Sequence, residues 1–243
     1  MNAQRPRPVA TRAVVLRTIR HGDRTLVLKA WTTGHGARSY LVRSGGKRGV
    51  PEAALQPLTR IELVAEERPD RDIHPLLELR VDRPYLHLAR DPLRGAIALF
   101  VQEVLYRVLR VESPDAPLDT FVHEALEALD SAPEVRHFPL VFLVGLSGHL
   151  GFHPEAPQAG EDHFDLREGH FTQGPPPSGH ALGPPLSKAL ASLLDADLQR
   201  SPDPPLPSAM RRELLDHLLL YFRLHVEGMG ELRSPDMLRR MLH

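Results

Sequence analysis

Thr11-Arg-Ala-Val-Val-Leu-Arg-Thr18, His21-Gly-Asp-Arg24 and Thr25-Leu-Val-Leu-Lys-Ala-Trp-Thr32 follow one another near the start of the chain, and their reading decides the fold. In the first stretch Thr11, Ala13 and Val15 share one face and Arg12, Val14 and Leu16 the other, the period-two pattern of a strand. The third is rich in β-branched and aromatic residues, which pack well on a pleated surface. Between them Gly22 tolerates positive φ and Asp23 bonds to nearby backbone, so the chain turns there. Gly34-His-Gly36 makes a second turn, and Arg38-Ser-Tyr-Leu-Val-Arg43 alternates Ser39, Leu41 and Arg43 against Arg38, Tyr40 and Val42.

Working outward, Ser44-Gly-Gly-Lys-Arg-Gly49 reads as a flexible positive loop and Pro51-Glu-Ala-Ala-Leu55 as a short helical turn. Pro57-Leu-Thr-Arg-Ile-Glu-Leu-Val-Ala65 alternates Leu58, Arg60, Glu62 and Val64 against Thr59, Ile61, Leu63 and Ala65, and Leu76-Leu-Glu-Leu-Arg-Val81 supplies a last strand. Five short strands with one small helical insertion predict a closed barrel of the oligonucleotide-binding (OB) type over residues 1–82.

From Asp91 the period becomes helical. Asp91 is the expected N-cap with Pro92 at the first helical position. Leu93, Ile97, Phe100, Val101, Val104, Leu105 and Val108 then form one wide apolar stripe. Further helices are expected at 118–129, at 139–150 (almost wholly apolar, hence central), at 186–198, at 208–225 and at 234–242. Ser208 and Ser234 are the expected N-caps of the last two. A Gly/Pro/His-rich insert at about 151–185 contains Phe164-Asp-Leu-Arg-Glu-Gly-His-Phe171, which reads as a small hairpin turning at Glu168-Gly169. The fold class is thus α+β and multidomain: an N-terminal five-stranded OB-type barrel, then an all-helical domain over 83–243 carrying the insert.

Charge separates the same two parts. Residues 1–60 hold twelve basic side chains against only Asp23 and Glu52, a local charge of +10, which leaves −11 for residues 61–243 of a chain whose net charge is −1. Such asymmetry points to a polyanion at the basic end. The candidate DNA contacts are Arg12, Arg17, Arg38, Arg43, Lys47 and Arg48, with Arg20 and Arg24 on the first turn. Of the aromatics on these strands, Trp31 suits the core and Tyr40 is the candidate for stacking on a base. So few aromatics favour tracking of phosphates over reading of bases.

The chain has no cysteine, so thiolate metal sites, disulfides and a cysteine nucleophile are excluded. Met1–Ala10, with two arginines, two prolines and no apolar core, does not read as a secretory signal, and the longest apolar run, Phe138–Leu146, is far below the ~20 residues of a membrane span. The expected location is the cytoplasm. No catalytic pattern is complete. Ser44–Gly49 lacks the GxxxxGK[ST] spacing of a phosphate loop, Gly145-Leu-Ser-Gly148 is not GxSxG, and Asp70 and Asp72 before His74 read better as part of a charged loop, Glu66–Asp72, than as a metal-dependent nuclease site. His153, His163, His170 and His180 with Glu161 and Asp162 match no zinc spacing, although His163 and His170 could meet across the predicted hairpin. No enzyme activity, no metal and no cofactor are expected.

The order of these features resembles the bacterial RecO recombination mediators. Thr11–Thr18 with Gly22-Asp23 is similar to that family's opening strand and turn, and Leu41-Val-Arg-Ser-Gly-Gly-Lys-Arg48 to its basic glycine-containing loop. Leu215–His225 followed by Gly230-Glu-Leu-Arg-Ser-Pro235 is similar to its closing helix and tail. The resemblance implies a protein that binds single- and double-stranded DNA and anneals complementary strands. It also implies action with RecR, and in many bacteria RecF, to displace single-strand-binding protein and load RecA. Many members hold zinc with four cysteines in the insert, which this chain cannot do. The helical body, by the same resemblance, takes the acidic, apolar-ended tail of single-strand-binding protein. The expected pocket combines Phe100, Leu143 and Leu146 with Arg107, Arg110 or Arg136. On the residues alone, an RNA-binding or ribosome-associated module, or a protein-interaction scaffold, would use the same barrel.

Overall fold

The computed structural model describes residues 8–43, 50–68, 70–200 and 205–241. The chain divides into two compact units: one is Met1–Tyr85 with Gln102–Asp119, the other Leu86–Val101 with Thr120–His243.

In the first unit, β1 (Pro8–Arg20), β2 (Thr25–Thr32), β3 (Gly36–Arg43), β4 (Arg60–Glu66) and β5 (His74–Val81) close a barrel in the order β1-β2-β3-β5-β4. All neighbours are antiparallel except β3 and β5, which run parallel through Tyr40↔His74 and Leu41↔Pro75. β1 is long enough to serve two partners. Its first half pairs with β4 and its second with β2, and an irregularity between Val15 and Arg17 re-aims it between them. Ala13, Val15, Leu28, Ala30, Tyr40, Val42, Ile61, Leu63 and Ala65 fill the interior, the alternation predicted for these strands. The outer face is buried as well along the row Trp31–Val14–Arg60, so Trp31 is a packing residue. A 3-10 turn, Glu52–Leu55, brings Leu55 to the core.

Two local features hold strand entries. Leu58 adopts φ 62° just before β4, with its N–H donating to Val15 O at 2.7 Å and its own carbonyl accepting the Tyr85 hydroxyl at 2.7 Å. Gly36, at φ 68°, opens β3 where Ala37 N–H donates to Val111 O at 3.0 Å.

In the remainder of the chain, α1 (Pro92–Val108) starts where Asp91 Oδ1 accepts the N–H groups of Leu93 and Arg94, the predicted cap. α2 (Ala116–Ser131) is capped by Asp115, whose Oδ1 accepts Leu118 N–H. α3 (Phe138–His149) is buried over most of its length and packs on α5 (Ser208–His225). Pro207, not Ser208, occupies the N-cap of α5, and no side-chain bond caps it. α4 (Pro184–Ala191) ends earlier than its periodicity predicts. Beyond Ala191 the backbone bonds shift to i→i−3, Leu193 to Leu190 and Ala196 to Leu193, so the apolar rhythm continues through tight turns. α6 is Ser234–Met241. The insert forms β6 (His163–Asp165), β7 (His170–Thr172) and β8 (Ala181–Leu182) in the order β7-β6-β8. The two-residue β8 is too short for any periodicity to announce it.

Candidate nucleic-acid interface

Cross-strand partners share a face, so the register of β1, β2 and β3 lays out the outside of the barrel in rows. Arg17 pairs with Lys29 and Lys29 with Ser39, and the Lys29 ammonium donates to Ser39 Oγ at 2.6 Å. The next row is Ile19–Val27–Leu41, of which Ile19 is exposed. Beyond it Thr25 pairs with Arg43, and the tight β1–β2 turn, closed by His21 N–H donating to Thr25 O at 3.0 Å, carries Arg24. Arg17, Arg20, Arg24 and Arg43 are all exposed. Among the described residues Arg20, Arg24 and Arg43 form no ion pair, whereas Arg38, Arg68 and Arg80 are each held by a carboxylate. A row of cations, a half-exposed apolar row and a cationic turn therefore share one face of the three-stranded meander. Arg12 is also exposed, but its register neighbour is Glu62, itself ion-paired with Arg80. Lys47 and Arg48 lie outside the described residues.

Two predicted contacts belong elsewhere. Arg38 shares the inward parity of Tyr40 and Val42, and its guanidinium reaches Glu67 at 3.4 Å and Glu112 at 3.2 Å. Tyr40 is fully buried, donates its hydroxyl to Glu67 Oε1 at 3.0 Å and offers no ring face to a base. Burial, then the Glu67 carboxylate, drives the Tyr40 pKa far up, so the phenol stays protonated. His74 completes the cluster. Its Nδ1 accepts Arg68 N–H at 3.1 Å, which leaves Nε2 to carry the proton toward Glu67, 3.4 Å away. Inward-pointing polar residues at the end of a barrel strand alternate as outward ones do, so the sequence pattern does not distinguish the two.

The structure adds one aromatic that the strand reading missed. Gln102 Nε2 donates to Leu16 O at 2.6 Å, and one helical turn later Tyr106 lies under Arg17, whose guanidinium carbon sits 5.1 Å from the ring centroid. Tyr106 comes from α1, so no feature of the strand sequences signals it.

The predicted tail pocket is not assembled. Phe100, Leu143 and Leu146 are each 0% exposed and belong to the packed interior, so they cannot line an open site. Arg136 is exposed and bound to Glu134 at 2.6 Å.

Residues 7–85 match the family described as Recombination protein O N terminal and residues 89–235 the one described as Recombination protein O C terminal. The chain belongs to the recombination protein O family. A DNA repair protein RecO of Porphyromonas gingivalis is 30% identical over 238 residues, covering 95% of this chain and 97% of the relative. Another, of Christiangramia forsetii, is 28% identical over 236 residues, covering 96% and 98%. The family's setting is DNA repair and recombination, and no helix of the described residues is long and apolar enough to cross a membrane.

In a chain without cysteine, the insert is held by packing and hydrogen bonds. Phe164 meets Phe171 and Tyr221 edge-on, Phe152 stacks on His225, and the Tyr221 hydroxyl donates to Phe152 O at 2.5 Å. Buried Asp165 accepts the N–H groups of Arg167 and Glu168 and the Ser178 hydroxyl. His163 and His170 do not face each other: His163 pairs with Thr172 and binds the Asp162 carboxylate at 2.7 Å, and His170 pairs with Asp165. Among the described residues no group of three His, Cys, Asp or Glu is arranged to hold a metal.

Proposed function

We propose that this chain is a recombination mediator that binds single- and double-stranded DNA on the β1–β2–β3 face of its barrel and anneals complementary strands. It does so in the cytoplasm without enzymatic chemistry. With RecR, and with RecF where present, it helps load RecA onto DNA coated with single-strand-binding protein. The observation that carries the reading is the pair Arg24 and Arg43, exposed and without carboxylate partners among the described residues, beside the Arg17–Lys29 row; exposed Arg20, whose register partner Leu26 has the inward parity, stands at the end of β1. Cations left unneutralised at an exposed end attract phosphates and release counterions from them. Membership of the RecO family turns a generic polyanion site toward DNA.

The test is fluorescence anisotropy with labelled single-stranded DNA, double-stranded DNA and RNA across a salt series, together with annealing of complementary oligonucleotides. Salt-dependent DNA binding and accelerated annealing are expected. Replacing Arg24 and Arg43 with Gln should weaken binding equally for all sequences and lower the salt slope by about 1–2. Absence of DNA binding at low salt, or a strong preference for RNA without annealing, would overturn the reading.

A further inference from the structure

The barrel strands offer no aromatic face to a base: Trp31 is 2% exposed and Tyr40 is 0% exposed. A protein limited to them would touch phosphates only. The Arg17–Tyr106 pair changes this. The irregularity after Val15 turns Arg17 outward into register with Lys29. The same point of β1 is gripped from α1, where Gln102 and Tyr106, four residues apart on one helical face, meet Leu16 O and the Arg17 guanidinium respectively. Arg17 is exposed and Tyr106 partly so. The guanidinium carbon lies 5.1 Å from the tyrosine ring centroid, on a side chain that is exposed as a whole.

A guanidinium is planar, delocalised and weakly hydrated, so it stacks on π-systems from both sides. Positioned over Tyr106, it loses less freedom when a second ring arrives. Resting on the DNA-binding reading above, we infer that Arg17 and Tyr106 form a composite platform on which an unpaired base stacks, guanidinium against base and ring behind it. The Lys29–Ser39 pair, next in the same row, would take the adjoining phosphate. Such a platform favours single strands, whose bases are free to splay, and it is indifferent to sequence because every base has a π-face. Both properties suit a protein that gathers strands before they pair.

The experiment compares wild-type protein, Tyr106→Phe, Tyr106→Leu and Arg17→Lys on two labelled single strands of equal length. One is oligo-dT and the other an abasic phosphodiester backbone. Wild type and Tyr106→Phe should prefer oligo-dT over the abasic strand. Tyr106→Leu and Arg17→Lys should lose about fivefold or more on oligo-dT, the lower end of one stacked base, with little change on the abasic strand. The salt slope should stay the same in Arg17→Lys because the charge remains. Equal losses on both strands, or no loss in either variant, would overturn the platform while leaving DNA binding intact. Failure of wild-type protein to bind either strand at low salt would overturn the DNA-binding reading and the platform with it. Arg17 lies at the surface, so Arg17→Lys reports even if Tyr106→Leu unfolds.

Discussion

The Arg38 guanidinium meets the Glu67 carboxylate at 3.4 Å, with side chains only 15% and 17% exposed, and this pair anchors one end of the barrel. Glu67 also accepts the Tyr40 hydroxyl and faces His74, so its charge is balanced by one cation and two hydrogen-bonding rings. An arginine counted toward a DNA-binding surface is thereby committed to the fold.

Arg38→Gln should therefore lower stability by about 2–3 kcal/mol, since removing one partner leaves the other charge poorly solvated. Tyr40→Phe should cost about 1–2 kcal/mol through the lost bond to a charged acceptor. Neither should change the salt slope of DNA binding. Urea denaturation paired with anisotropy checks both, and a flattened slope in Arg38→Gln would return that residue to the binding face.

Asp130 Oδ1 and Oδ2 accept three successive backbone N–H groups, from Leu86, His87 and Leu88, and so tie the start of the segment leading into α1 to the last turn of α2. Burial by itself raises the Asp130 pKa, but the three donors outweigh it and the net shift is downward. A carboxylate with a depressed folded-state pKa stabilises above its unfolded value, about 3.9, and loses that contribution as pH falls toward the folded value. Asp130→Ala should cost about 2–3 kcal/mol at pH 7. The penalty should shrink between pH 4 and pH 3, as measured by denaturation of both proteins across that range.

His137 shows the opposite titration. Its Nε2 accepts Leu206 N–H at 3.0 Å, and burial first, then the Arg211 guanidinium, lowers its pKa. The folded state therefore prefers neutral imidazole. Above the unfolded value of about 6.5 both states are neutral and the contribution is complete; below it the unfolded chain takes the proton first and stability falls. His137→Gln retains an acceptor for Leu206 without a titrating group. The difference in melting temperature between pH 7.5 and pH 5.5 should be smaller in that variant than in the wild type.

Gly36 combines φ 68° with close backbone neighbours: a Cβ there would stand 2.3 Å from Ser113 O and 2.5 Å from Val111 O. Gly36→Ala should cost at least about 2 kcal/mol, because neither strain nor clash can be relieved by rotating a side chain. Thermal unfolding checks this. A near-neutral result would show that the 111–113 segment can yield.

Much of the architecture was legible without coordinates. Period-two alternation identified the five strands, since Ala13, Val15, Ile61, Leu63 and Ala65 must all face one interior. Asp91 with Pro92 announced the start of α1 through its own local chemistry. The apolar run after Phe138 announced the central helix because nothing polar interrupts it. The basic bias of the first 60 residues likewise located the candidate interface, charge being a property of composition.

Tertiary structure alone decided which charges are available and which aromatics count. Arg38 and Arg17 have the same composition and similar strand settings. Yet one points into the barrel against Glu67, and the other is turned out by a strand irregularity onto a ring from a distant helix. Phe100, Leu143 and Leu146 read equally well as core or as pocket until their burial was known. Periodicity and propensity act over a few residues and are written locally. The pairing of Arg17 with Tyr106, 89 positions apart in the numbering, depends on chain closure, and only the folded molecule brings them together.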